Sequence, residues 1–270
     1  ISQAFGKRFS LGAEADYIFG KIEKQSLQNL ESSGFNEART YQTLTLNAFT
    51  GKFGLQYEQP LGRDWRLGAG ATYTFGADVH GFNEGSCYSA GTVQDITLPA
   101  SYADTLRGRS GIALAGELGL GVSVNYRNKL RAELNYSRSD WRHSGMDSAK
   151  GFSVSDAQQY FVNSVRETYR LGFEYVPNIS DVRYYHKRIA YRAGAYYNNA
   201  YYTVDGRPVN SAGITLGVTL PVFRWYNGLS ISVDAGQRGP FSGSLVRENY
   251  IKFSFGVNLF DIWFQQYRYE

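Results

Sequence analysis

The sequence predicts an all-β fold, an antiparallel transmembrane β-barrel, and three observations predict it. Apolar and polar residues alternate through segment after segment, aromatic residues gather at segment ends, and no apolar run reaches the roughly 18 residues of a membrane helix. A barrel needs no such run, because alternate residues of each strand meet lipid. This also explains a negative mean hydropathy of −0.38 in a membrane chain. The alternation is cleanest near the C-terminus. There Ile251, Phe253, Phe255, Val257 and Leu259 alternate with Lys252, Ser254, Gly256 and Asn258. A helix would scatter these residues around its axis, whereas a strand sets each group on one face. The first group is expected toward lipid or a partner and the second toward a lumen, since a one-residue slip would exchange them.

The same reading places strands at about 8–19, 41–58, 65–77, 111–126, 130–141, 166–176, 189–203, 211–220, 229–236 and 251–259, or about ten. In the second, Leu44, Leu46 and Ala48 have one parity and Phe53, Leu55 and Tyr57 the other. A bulge or kink near Phe49–Lys52, with Gly51 as its permissive residue, is the expected cause. Connections alternate in length. Short ones lie near 59–64, 127–129 and 224–228, with the longer 177–188 on the same side. Long ones lie near 20–40, 79–110 and 142–165, together with the tight Asp205–Gly206 turn and the 241–248 loop. Bacterial barrels keep short turns in the periplasm and long loops outside, which places both chain ends in the periplasm and the protein in a bacterial outer membrane. Tyr57, Trp65, Tyr126, Tyr175, Trp225 and Trp263 fall near the short turns. Tyr17, Phe19, Tyr73, Phe75, Trp141 and Tyr201 fall near the long loops. Two interfacial girdles fit that spacing.

No stretch reads as a linker, so residues 1–270 form one barrel domain. Net charge is +4, from 28 basic and 24 acidic residues, too mild a balance for a nucleic-acid partner. Cys87 is the sole cysteine, which excludes an intrachain disulfide and a Cys-based metal site. The chain starts at Ile1 without Met or a signal peptide, so export is not read from its start.

Several stretches resemble the FadL/TodX long-chain fatty-acid transporter family. They are FSLGAEADYIFG at Phe9–Gly20, FGLQYEQPLGRDWRLGAGATYTFG at Phe53–Gly76, LGLGVSVNYRNKLRAELNYSRSDW at Leu118–Trp141, and the C-terminal run Glu248–Glu270. The resemblance implies a fourteen-stranded barrel with an N-terminal hatch. This chain looks like a divergent member that lacks the hatch and roughly four strands. The resemblance implies passive uptake of hydrophobic small molecules. FadL-like barrels also serve as non-transporting subunits of larger outer-membrane assemblies, such as a secretion translocon or a barrel-assembly complex. Expected partners are therefore outer-membrane lipid, hydrophobic small molecules, and other outer-membrane proteins.

Parity points Glu14, Asp16, Arg66, Glu117, Arg131, Glu133, Arg170, Glu174, Arg192, Asp234 and Lys252 into the lumen, with Glu58 among them. These are the ligand-binding candidates, although charges inside a barrel more often pair across strands or are solvated. Their mixed signs argue against an ion-selective ring. Inward glycines such as Gly68, Gly119, Gly172, Gly194 and Gly213 are expected to relieve curvature and let neighbouring side chains cross. His143 lies near Asp140 and Asp147, but no opposing pair of acids completes a rim protease, so no enzyme is expected. No metal spacing or cofactor motif is present.

Overall fold

A computed structural model describes residues 2–6, 8–29, 35–91, 102–106, 111–147, 161–222, 228–240 and 246–258. The strands are β1 (Ser2–Phe5), β2 (Phe9–Asn29), β3 (Phe35–Leu61), β4 (Trp65–Thr74), β5 (Ala77–Asp78), β6 (His80–Gly91), β7 (Tyr102–Leu106), β8 (Ala113–Leu114), β9 (Glu117–Tyr126), β10 (Leu130–Asp140), β11 (Phe161–Asn163), β12 (Val165–Tyr175), β13 (Ala190–Val204), β14 (Arg207–Pro221), β15 (Gly228–Gly239) and β16 (Glu248–Asn258). One antiparallel sheet runs β1-β2-β3-β4-β9-β10-β12-β13-β14-β15-β16. Its ten long strands correspond to the ten segments of alternating sequence. Among the described residues, β1 pairs with β2 alone and β16 with β15 alone, so the two edges do not join each other.

The registers carry one apolar face across the whole sheet. Ile251, Phe253, Phe255 and Val257 lie opposite Ala235, Val233, Ile231 and Leu229, and these lie opposite Ile214, Leu216, Val218 and Leu220. The face continues through Tyr169, Leu171 and Phe173 to Leu118, Leu120 and Val122. The expected parity therefore stands, while Leu259, Trp225 and Trp263 lie outside the described residues. Phe253 and Phe255 expose 66% and 74% of their surface. Buried apolar residues among those described come to Leu44, Ala48, Val79 and Ile112. A soluble sandwich of this mass would bury far more, and its surface would be about 12,000 Å², against 19594 Å² here. The apolar face is built to be covered by lipid or by protein.

Aromatic rings mark both margins of that face. Phe9 packs on Tyr57 and Trp65 on Tyr126, each at 4.6 Å between centroids, beside the short turns. Tyr73 and Phe53 meet Phe75 edge-on at 5.1 and 5.8 Å, and Trp141 meets Tyr201 at 5.4 Å, beside the long loops. The ends of the sheet are distinct as expected. The 62–64 and 127–129 turns touch through Arg127 and Asp64, 2.8 Å apart. The amide of Val176 donates to the carbonyl of Lys129, which brings the 177–188 segment to the same end. At the other end, the amide of Ala113 donates to Ser144 and that of Val79 to Ile112, so the long connections meet there. Asp205 and Gly206 both take positive φ, 52° and 69°, closing the β13–β14 hairpin in two residues.

Three expectations need correction. The 20–40 stretch is mostly strand, because β2 and β3 continue as a paired hairpin from Phe9↔Tyr57 to Asn29↔Glu37. The 79–110 stretch contains β6, which pairs with the outer part of β3, and β7, which pairs with β6. These polar strands lie beyond the 9–11 residues needed to cross a bilayer, so neither face carries the apolar alternation that marks a membrane strand. Finally, no bulge interrupts the β2–β3 ladder at Phe49–Lys52. Instead β3 changes partner there, pairing with β4 from Lys52 to Leu61 and with β6 from Phe35 to Asn47. Thr50 donates its hydroxyl to the carbonyl of Phe75 at 2.6 Å, and the amide of Phe75 donates to Gly51, which satisfies the backbone at the changeover. The parity of the apolar residues changes because their surroundings do. Leu44 and Ala48 turn inward, onto Val79 and Ile112, with Leu114 and Met146 packed alongside.

Candidate functional site

The face opposite the lipid side is polar. In the unbroken ladders of β4, β9, β10 and β12 to β16, its hydrocarbon residues among those described are Ala190 and Pro221 at the short-turn margin. The rest are Gly, Ser, Thr, Asn, charged residues, and the two tyrosines Tyr196 and Tyr250. Alternation places them there, since each follows an outward apolar neighbour along its strand.

The register puts every predicted lumenal charge on this face. Glu14 lies opposite Lys52 and Asp16 opposite Thr50 on the β2–β3 wall. Glu58 lies opposite Gly68, and Arg66 donates to the Asn128 side chain at the short-turn rim. Arg131, Glu133, Arg170, Glu174 and Arg192 come together in one groove of about 860 Å³, floored by Gly172, Gly194 and Gly217. Glu117 lines an adjoining cavity of about 360 Å³, which Arg170 also lines. Asp234, opposite Lys252, lies outside the groove and accepts a hydrogen bond from the Tyr196 hydroxyl at 3.0 Å.

Five of these twelve charges form ion pairs across or along strands among the described residues. Arg192 donates to Glu174 at 2.7 Å and to Thr219 at 3.1 Å, and Thr219 in turn meets Ser230 at 2.9 Å. Arg131 pairs with Glu133, and Arg166 lies 3.9 Å from Glu117. Solvated pairs of this kind each contribute about 0–1 kcal/mol, so they set charge positions more than stability. Arg170 lies opposite Asn135 and Tyr196 and has no carboxylate within ion-pair distance among the described residues.

The inward glycines divide into two kinds. At Gly68, Gly119, Gly121 and Gly194 a neighbouring Ser, Thr or Asn side chain occupies the space a methyl would take. Tyr196 crosses over Gly213 and Tyr250 over Gly236, and their hydroxyls meet beside Asp234. That bears out crossing side chains as the use of glycine at these six positions. Gly172 differs, because nothing lies within 4 Å of its added methyl position. Sequence reading missed Arg166, Tyr196 and Tyr250. Arg166 shares parity with Arg170 but sits at a strand margin, and the tyrosines read equally well as girdle residues.

At the rim around His143 both acids are held by other residues. Arg142 Nε binds Asp140 at 2.9 Å, and Asp147 accepts the amide of Asn163 at 3.1 Å. Among the described residues no His, Cys, Asp or Glu group has metal-binding geometry. In the short turns, Arg127 holds the Asp64 carboxyl below its ordinary pKa through their hydrogen bond. The Tyr184 amide does the same for Asp181, helped by Lys187.

Strand order, apolar belt and polar interior together define a transmembrane β-barrel wall with the fold of FadL-like outer-membrane channels. The CymD monoaromatic hydrocarbon channel shares this fold with a TM-score of 0.54 at 15% identity, over 88% of this chain. The Ralstonia pickettii toluene transporter TbuX gives a TM-score of 0.45 at 12% identity, over 89% of this chain. The chain spans 66% of the length of each of these two proteins. No curated protein matches it. The BamG family model matches residues 1–270, and the chain belongs to the BamG family. The FadL/TodX likeness thus holds at the level of fold.

Proposed function

We propose that this chain forms part of the wall of an outer-membrane barrel that acts as a non-transporting subunit of a larger assembly. The polar inward face carries this reading. A passive route for hydrocarbons needs an apolar lining, and eight successive barrel strands offer almost none. The Bam designation of the family fits a place in a barrel-assembly complex. The outer face offers a contact surface, an apolar groove of about 480 Å³ between Phe5, Leu11, Phe53, Tyr73 and Leu118, floored by Ala13 and Ala71. In lipid, both sheet edges require partner strands from outside the described residues, because each unpaired backbone group costs several kcal/mol. The short turns lie in the periplasm on this reading, and so do both ends of the chain.

A second reading, passive uptake of hydrophobic small molecules, is favoured by the fold shared with a protein titled as a hydrocarbon channel. One experiment separates the two. A photoreactive residue replaces Ala71 in the full-length protein in cells, and toluene flux is measured across liposomes holding the same protein. The assembly reading expects a discrete protein adduct and flux equal to that of empty liposomes. Protein-dependent flux without an adduct would sink it in favour of transport.

A further inference from the structure

We propose that the lumenal groove is an oxyanion-binding site centred on Arg170, taking a carboxylate or phosphate group. Four arginines and two glutamates among the described residues line it, an excess of two positive charges, and both glutamates already hold an arginine. Of the two remaining arginines, Arg166 lies 3.9 Å from Glu117 and Arg170 has no carboxylate partner among the described residues. It lines both the main groove and the adjoining cavity, so an anion in either space reaches it. One step along the same face, Gly172 leaves open room in which a bound group can sit. Thr168 and Asn198, hydrogen-bonded to each other at 2.8 Å, add polar lining above Arg170. A guanidinium in a partly enclosed polar groove binds a planar or tetrahedral oxyanion through two parallel N–H donors, which a dispersed surface charge does not.

This inference goes beyond the assembly reading and holds whether or not the barrel has protein partners. The oxyanion has two sources, a free small anion or an acidic chain segment entering the lumen. Isothermal titration of the full-length protein in a neutral detergent, with pyrophosphate and with a tri-aspartate peptide, tests both. At least one probe is expected to saturate, and the tighter of the two identifies the source. Arg170→Gln is expected to weaken that binding by about tenfold or more, the loss of one charge-assisted pair. Gly172→Leu is expected to abolish it by filling the floor. Arg238→Gln, a basic residue outside the groove, is expected to leave it unchanged. Heat-modifiable migration on a gel verifies that each variant is folded. If neither probe saturates, or Arg238→Gln weakens binding as much as Arg170→Gln, the proposal is overturned.

Discussion

The β2–β3 side of the sheet and the β10–β16 side obey the same alternation but put it to different uses. From β10 to β16 apolar residues point outward along the unbroken ladders and the inward row is polar. In β2 and β3 that arrangement holds near the short turns and then reverses, with Leu44 and Ala48 buried on the inward face. The reversal coincides with the point where β3 leaves β4 for β6. Apolar parity therefore reports what covers a face, lipid in one region and protein in the other.

Replacing Leu44, which is 1% exposed, by Ala should give the largest effect, a loss of about 2–5 kcal/mol through the cavity left against Val79 and Ile112. Chemical unfolding in detergent checks it, and Leu55→Ala on the lipid face should cost far less. Equal losses would break the distinction between protein-covered and lipid-covered residues. Leu216→Arg, on the outward face of β14, should cost about 2–4 kcal/mol if the residue lies near the bilayer midplane. Ser232→Arg on the inward face should be tolerated, and refolding into lipid vesicles measures both. A reversed result would mean that the faces are exchanged.

A smaller effect is expected from Tyr196→Phe, which removes the hydroxyl shared by Asp234 and Tyr250. It should lower stability by about 0.5–1.5 kcal/mol while leaving the fold intact. The smallest concerns pH at the turns. Asp64 has a folded pKa below its unfolded one, so the contribution of its bond to Arg127 is complete above the unfolded value, about 3.9. It is lost as pH falls through the folded value. Carboxyl-carbon chemical shifts should show Asp64 titrating below an ordinary Asp, and Arg127→Gln should return it to the ordinary range.

The lipid-facing segments were legible because the membrane imposes period two on every crossing strand, and the ladder from Ile251 to Val257 agrees with the parity read from sequence. The outer hairpin was not legible. Most of β6 reads as Gly, Ser, Asn and His, with no apolar alternation to mark it as a membrane strand. The change of partner in β3 left a real signal, the parity switch at Phe49–Lys52. A bulge and a change of covering produce the same pattern in one dimension, and the continuous β2–β3 register distinguishes them. The lumenal charges were legible as a set. Their grouping was not, because whether Glu174 meets Arg192 or a glycine on β13 depends on the stagger between neighbouring strands.

The uninterrupted β2–β3 ladder also has a mechanical consequence. Its 21 paired positions join the barrel wall to the projecting hairpin without a hinge. A force drawing the hairpin along its strands is carried down both backbones side by side, whereas a force across the strands opens their hydrogen bonds one after another. The projection is stiff along its length and weak at its free edge, so traction applied at the tip is delivered to the barrel wall before the hairpin yields.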